Sequence, residues 1–579
     1  MRIVISLLIL LTLLFSSCRE YNRDNESVER FRQQRLAQWQ AQKFGMFIHW
    51  GLYSIPAGVW KGEQIPFYAE QIMNHARIPI KEYEQLAAQF NPGQWNAEEV
   101  VLLAKKAGLR YIVFTTKHHD GFCMFHTATT KYNVVDATPY GRDVVRELAD
   151  ACAKHGMKLG FYYSLPDWHF PEGILRGQPD TTTTCREHVN QLYSPLEIIT
   201  PALEDYIVAQ ITELLTNYGE IETIWFDMGL VTPAQSQRFR ETVHKLQPVC
   251  LINGRIMNNC GDYYTLTDNS QVVGMSQWVW DNPASMYSTW GYRSWQRRGA
   301  PAEQAERQLN RLMNTIGSGG VFLLNIGPTG DGEVISYEKE VLEQMGAWIN
   351  KNKEAIYDTQ PSPFESMTNV YCTRKDNKLY FTVYGDDSVI SCRNLITSIH
   401  NAFLLESPDT KLSVRPIDQG VEIVLPSDPP AKLYTVVAEL ADSAIEVQPV
   451  YLKAQNDCFI LTEQNAKTLP MVDGTSYISM QPEAGKIWHL DIQRSGTYNL
   501  TIEYTPEYPN RTYLFRFSDS LCLKHELPGI DRWLQTSVVG TITLQVGKQN
   551  LHLTGSDDYP VLAPLGLKIN KIRLCRIDS

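Results

Sequence analysis

Between about residues 40 and 350 the chain alternates between two patterns, and this constrains its fold more than any other feature. Apolar runs of strand length, "FGMFIHW", "YIVFTT", "KLGFYYS", "ETIWFD", "CLING" and "VFLLNIG", recur along it. Several of them are separated by segments with apolar residues at i, i+3 and i+4, the period of a helix. "AEEVVLLAKKAG" stops at Gly108, "DVVRELADACAKHG" runs from a capping Asp143 to Gly156, and "LEDYIVAQITELLTNYG" closes at Gly219. Strand–helix alternation on this scale predicts a (β/α)8-like TIM barrel. A doubly wound sheet is less favoured, because no glycine-rich phosphate loop follows the first strand. In a barrel the C-terminal ends of the strands build the site. Here those ends carry His49-Trp50, His118-His119-Asp120, Tyr162-Tyr163-Ser164, Asp227 and Asn253-Gly254-Arg255.

After about residue 355 the helical period is lost. "KLYFTVYG", "GVEIVLP" and "KLYTVVAEL" alternate with period two between Asp, Asn, Pro and Gly turns. The expected organisation is a catalytic barrel over 38–355, a β-sandwich over 356–445, and a C-terminal jelly-roll-like β domain over 446–579. Carbohydrate binding by that last domain stays open. Trp488 and Trp533 are candidate sugar platforms there, with core packing the simpler role for both. Ahead of the barrel, "IVISLLILLTLLF" is too short for a comfortable membrane span and ends near "FSSC". Small residues before Cys18 resemble a bacterial lipobox. This predicts a signal peptide over 1–17, lipidation at Cys18 and a polar tether over 18–37. The expected location is that of an exported bacterial lipoprotein, in the periplasm or on the outer membrane or cell surface, with membrane contact only through the lipid anchor.

The net charge of −11 argues against nucleic acid as a partner. The remaining ten cysteines are scattered without CxxC spacing, so they form no zinc signature; Cys372 and Cys392 are a conceivable disulfide pair. "KHHDG" at 117–121 admits a metal site, a catalytic base or a sugar-binding edge. Adjacent strand residues point to opposite faces, which disfavours both histidines on one metal, and no HExxH occurs. Asp227, at the tip of an apolar run, is either a glycosidase nucleophile or a capping residue of the next turn. No metal or other cofactor is implied, and nothing sets an oligomeric state.

"FGMFIHWGLYS", "TTKHHDGFCMF", "GFYYSLPDW", "IWFDMG", "NGR", "STWGYRSW" and "GGVFLLNIGPTGDG" occur in the order seen in family 29 glycoside hydrolases. Over residues 38–360 the chain resembles those retaining α-L-fucosidases. The resemblance implies an exo-acting enzyme that removes terminal α-L-fucosyl residues from a fucosylated oligosaccharide or glycoconjugate by double displacement. It assigns Asp227 as nucleophile. His49, His118 and His119 would be partners of sugar hydroxyls, with Tyr163 and Arg255 near the nucleophile. Trp50 and Trp290 would give apolar surface near the C5 methyl.

The acid/base departs from the pattern. Where the family carries Trp-Glu ahead of Trp-Gly-Tyr, this chain reads "WVWDNPASMYSTWGY", placing Asp281 at the glutamate position. An aspartate withdraws the carboxyl by about one bond, ~1.5 Å. The candidates for the acid/base are therefore Asp281 and Glu70, which lies in "YAEQIMN" and by the resemblance matches another site carboxylate of the family. Gln71 and Val321 stand where the family often has Trp and Asn. Two alternatives follow: altered specificity, for instance toward α-L-galactosides, or a non-catalytic glycan-binding lipoprotein with a degraded acid/base.

Overall fold

The computed structural model describes residues 28–170, 199–228, 231–270, 279–364, 367, 369–417, 420–449, 451–463, 466–470, 477–478, 483–506, 511–518, 520–528, 533–555 and 567–578. The lipobox, Cys18 and the first half of the expected tether lie outside these residues. Residues 28–42, which the sequence assigned largely to the tether, are helical. Leu36 and Trp39 of this segment are buried, and the Trp39 ring stacks on Tyr263 at 4.2 Å. That apolar anchoring makes the segment part of the domain instead of a tether.

The strands that carry the site are β1 (Phe44–Ile48), β2 (Tyr111–Lys117), β3 (Lys158–Ser164), β4 (Thr223–Asp227), β5 (Leu251–Ile252), β6 (Tyr264–Leu266), β7 (Trp280–Ser285) and β8 (Val321–Ile326). Together they form a TIM-like parallel sheet. The chain divides into two compact units, with β8 shared between them. In the first unit the order runs from the second half of β8 through β1, β2, β3 and β4 to β5; in the second, β6 is followed by β7 and the first half of β8. Ladders β1–β2, β2–β3, β3–β4, β4–β5 and β6–β7 are all parallel. Six of the eight strands coincide with the apolar runs of the sequence. The other two do not read as strands: β6 has three residues, and β7 ("WDNPAS") is polar and contains Pro283, which normally argues against an interior strand. Asp281 is thus the second residue of a strand.

The helices form where their caps dictate. In α1 (Ala97–Lys106) the Asn96 side chain accepts from the Glu99 N–H. In α2 (Val144–His155) Asp143 accepts from the Arg146 N–H, and Gly156 ends the helix at φ 64°. In α3 (Pro201–Asn217) Thr200 accepts from the Leu203 N–H, with Pro201 in the first turn. Each cap satisfies a backbone donor that the helix itself leaves unpaired. The parallel strands are buried on both faces, β1, β2, β4 and β8 along their whole length. That explains their near-continuous apolar sequences.

In the second unit, a six-stranded sheet (Gln360–Pro361 to Leu433–Leu440) and a three-stranded sheet (Val389–Arg393, Gly420–Val424, Val414–Ile417) enclose one apolar core. Beyond it, a six-stranded and a four-stranded sheet share a second core built around Trp488, Leu490, Leu500, Ile502, Phe515 and Leu553. Trp488 is therefore a core residue, whereas Trp533 is exposed. Cys458 and Cys575 form a disulfide between paired antiparallel strands. Cys372 and Cys392, the pair suggested by the sequence, are free buried thiols. They lie on strands of the two different sheets, a placement that sequence proximity does not reveal.

Candidate active site

The carboxylate at the tip of β4 is the centre of the site. Asp227 is nearly buried, and its two oxygens have different partners. Oδ1 accepts a hydrogen bond from Arg255 Nη1 at 2.6 Å, and Oδ2 accepts from the Tyr162 hydroxyl at 2.7 Å. Burial raises the pKa of such a group. The Arg255 charge, then His119 and the hydrogen bonds from Tyr162 and Arg255, outweigh burial and hold the carboxyl below its ordinary value. Arg255 comes from the short turn Gly254–Ile256 after β5, and its guanidinium lies over the Trp225 ring at 4.6 Å. A buried aspartate kept ionised by a fixed cation has the charge state that a carboxylate nucleophile requires.

Tyr162 takes the place near the nucleophile that the resemblance assigned to Tyr163. The Tyr163 hydroxyl instead donates to Gln210 of α3. The cause is strand geometry. Ser164 pairs with Asp227 in the β3–β4 ladder, and side chains alternate faces, so Tyr162 shares the face of Ser164 while Tyr163 points toward the helix layer. The same alternation displaces Trp50. Its ring stacks on Trp95 at 4.5 Å and packs on Phe90, and its indole N–H donates to the Thr329 carbonyl. Trp50 is a packing residue here, not part of the pocket wall. Trp290 stays at the site, its ring 5.1 Å from His49 and 5.9 Å from Phe47.

Three imidazoles face the same region. β2 ends at Lys117, so His118 and His119 lie just beyond regular strand geometry, and their rings approach to 4.1 Å. The His118 ring lies 5.8 Å from that of His49 and stacks on Tyr162 at 5.5 Å. Burial lowers all three pKa values, to about 3 for His49, about 4 for His119 and well below the ordinary value for His118. All are neutral at pH 7, and the network sets two of the tautomers. The Ser164 hydroxyl donates its one proton to the Pro166 carbonyl, so His119 Nδ1, 2.6 Å from Ser164 Oγ, carries a proton and donates. Asn325 Nδ2 donates to the Trp290 carbonyl, which turns its Oδ1 to His49 Nδ1 at 2.7 Å; that nitrogen also carries the proton. Nε2 of both rings is left as a hydrogen-bond acceptor. His119 Nε2 is 3.8 Å from Asp227 Oδ2, beyond hydrogen-bond range. His118 Nδ1 has no hydrogen-bond partner among the described residues; a buried nitrogen of that kind is satisfied by a ligand hydroxyl or by water. Buried acceptors of this type match the O–H groups of a sugar.

Glu70 stands next to this group. Its Oε2 accepts from Thr289 Oγ1 (3.0 Å), the Trp290 N–H (3.1 Å) and the Gly291 N–H (2.9 Å). Burial pushes its pKa up to about 7 against those hydrogen bonds. A carboxyl poised there can both give and take a proton near neutrality. Asp281, on β7, is fully buried. The sequence missed Tyr162 as the partner of Asp227, and Ser164 and Asn325 as the residues that set the tautomers. Once Ser164 is paired with Asp227, counting back by two identifies Tyr162; without that pairing none of the three roles has a sequence signal.

Comparison with known proteins agrees with this chemistry. The sequence model described as α-L-fucosidase matches residues 13–354. The chain is similar to the tissue α-L-fucosidase of Macaca fascicularis, 30% identical over 450 residues (73% of this chain, 90% of that protein). It is also similar to that of Homo sapiens, 30% identical over 425 residues (69% and 86%). Among solved structures, α-L-fucosidase isoenzyme 1 from Paenibacillus thiaminolyticus aligns with TM-score 0.61 and 29% identity over 71% of this chain and 100% of that one. An α-L-fucosidase from Bacteroides thetaiotaomicron, solved as a trapped covalent intermediate, aligns with TM-score 0.62 and 25% identity over 70% and 96%. The chain belongs to the α-L-fucosidase family of glycoside hydrolases.

Proposed function

We propose that the protein hydrolyses terminal α-L-fucosyl residues from fucosylated glycans with retention of configuration, and that Asp227 is its nucleophile. The observation that carries this is the ionised Asp227 held by Arg255 and Tyr162 beside three neutral imidazoles. Asp227 attacks the anomeric carbon while an acid protonates the departing oxygen; the resulting glycosyl ester is then hydrolysed by water that the same residue activates as a base. As the ester forms, the carboxylate loses charge, and Arg255 and Tyr162 keep its oxygens in place. Hydroxyls of the sugar donate to Nε2 of His49 and of His119. A site built from such buried acceptors discriminates strongly against sugars lacking the matching hydroxyl.

Asp281 is assigned as the acid/base on the resemblance of its sequence neighbourhood. Glu70 is the second reading, favoured by its pKa near 7 and its three hydrogen bonds. Asp281→Asn and Glu70→Gln separate the two when each is assayed on an activated aryl fucoside and on a fucosylated disaccharide. The acid/base variant loses far more rate on the disaccharide, whose leaving group needs the proton. NMR of the first-formed product gives its configuration, and inversion refutes the double displacement. Absence of aryl fucoside hydrolysis by the wild type refutes the enzyme and favours a glycan-binding protein.

The chain is further proposed to be an exported lipoprotein anchored through Cys18. The apolar leader supports this, and the Cys458–Cys575 disulfide is of a kind that persists outside reducing compartments. Cys18→Ser releasing the protein from membranes is the expected result; a membrane fraction unaffected by the substitution refutes it.

A further inference from the structure

The residues that enclose the fucosyl position are buried, but the chain leading to Glu70 is not. Phe67 has a relative exposure of 67%, and the adjoining Tyr68 is also exposed. Phe67 adopts φ 72°, a left-handed conformation that is a real outlier for a bulky side chain. Such strain persists only where the surroundings enforce it, and they do so here. Arg293, itself buried, donates from Nη1 to the Phe67 carbonyl at 3.1 Å and from Nη2 to Ser288 Oγ at 2.9 Å. Its guanidinium lies 4.2 Å from the Trp295 ring, and the Trp295 indole N–H donates to the Gly58 carbonyl. Two residues on, the Ala69 N–H donates to Thr289 Oγ1, the same hydroxyl that reaches Glu70. The fold therefore holds an apolar ring in water, in a strained conformation, three residues before a pocket carboxylate. Its ring centroid lies 5.4 Å from that of His75, with the two planes tilted by 35°. A ring so largely exposed does not stabilise the core enough to account for the strain.

The loop and the pocket are connected. Trp290, whose N–H donates to Glu70, also packs on His49. On the nucleophile side, Met228 follows Asp227 directly, and it too is exposed and left-handed, at φ 57°. An exo-acting site buries the sugar it cleaves and leaves the rest of the glycan outside. The exposed apolar side chains that flank the pocket carboxylates along the chain are Phe67 and Tyr68, just before Glu70, and Met228, just after Asp227.

Resting on the fucosidase reading above, we propose that the Phe67 ring is the platform for the sugar on the far side of the scissile bond, so that the leaving group preferred by this enzyme is a neutral pyranose with an apolar C–H face. Aromatic faces stack on such surfaces. Contact with the departing sugar is kept as the bond breaks, so it contributes to kcat/KM.

The test is a ratio of two substrates: kcat/KM for a panel of fucosylated disaccharides divided by kcat/KM for α-L-fucosyl fluoride, whose leaving group has no ring. In Phe67→Ala and Phe67→Gly the ratio falls about tenfold for the preferred disaccharide, and in Phe67→Tyr it stays within about twofold of the wild type. Glycine accepts φ 72° freely, so Phe67→Gly unfolds no earlier than Phe67→Ala, which excludes misfolding as the cause of its loss. A ratio unchanged in Phe67→Ala overturns the proposal, as does equal loss on both substrates. A wild type that cleaves only the fluoride refutes the platform and leaves the fucosidase reading standing. A wild type that cleaves neither refutes that reading itself.

Discussion

Replacing Arg255 with Met tests the electrostatic logic of the site. Arg255 Nη1 lies 2.6 Å from Asp227 Oδ1, with both side chains largely shielded from water. Two unit charges ~4 Å apart at an effective dielectric of ~20 interact by ~4 kcal/mol, equivalent to about three pKa units. Removing one partner of a buried pair costs about 3–5 kcal/mol, because the other is left as an uncompensated charge. In the wild type the folded pKa of Asp227 lies below its ordinary 3.8. Its contribution to stability is thus present above that value and is lost as pH falls through the folded pKa. In Arg255→Met burial dominates and the folded pKa lies above 3.8, so the variant loses stability as pH rises through that window. Urea unfolding between pH 4 and pH 8 should show a deficit that is small at pH 4 and reaches about 3–5 kcal/mol at neutrality. In an Asp227→Asn background the same substitution should cost only about 1–2 kcal/mol, for a lost hydrogen bond and less packing over Trp225. A deficit that is flat in pH, or equal in the two backgrounds, refutes the charge-pair argument.

Asp227→Asn leaves the Arg255 charge uncompensated and so lowers stability; under conditions where the variant is folded it should lower kcat/KM on an aryl fucoside by at least about 10³-fold, and retention of most activity would remove Asp227 from the nucleophile role. Tyr162→Phe and Tyr163→Phe should separate cleanly. The first loses a hydrogen bond to a charged carboxylate, about 1.5–3 kcal/mol or roughly 10–100-fold in kcat/KM. The second loses a neutral bond to Gln210, about 0.5–1.5 kcal/mol of stability with little effect on rate. Larger kinetic damage from Tyr163→Phe would contradict the register. Low-pH stability follows from the neutral imidazoles. Because the folded pKa of His49 is about 3 against an ordinary 6.5, stability is lost as pH falls below 6.5, by about 1.4 kcal/mol per unit for this group. His49→Gln should reduce the pH slope of unfolding between pH 4 and 6 by about that amount, and an unchanged slope would place the ring in water.

The sequence by itself determined the architecture and the chemistry at the strand tips. Period-two and 3.6-residue patterns are local, so six strands and three helices could be read directly, with the Asp143 and Gly156 caps of one helix, and Asp227, His49, His118, His119 and Arg255 lie at the ends where a barrel gathers its site. Tertiary structure decided what depends on neighbours. Which of Tyr162 and Tyr163 faces the carboxylate follows from pairing of Ser164 with Asp227 across the β3–β4 ladder. Whether Trp50 lines the pocket or packs on Trp95 follows from the face it takes just past the end of β1. β7 is a strand despite Pro283 because a surrounding sheet overrides a weak local preference. The histidine tautomers, and with them the direction in which the site hydrogen-bonds a sugar, rest on Ser164 and Asn325, which lie 45 and 276 residues from the rings they orient. Contacts across such separations leave no periodic trace in a single sequence.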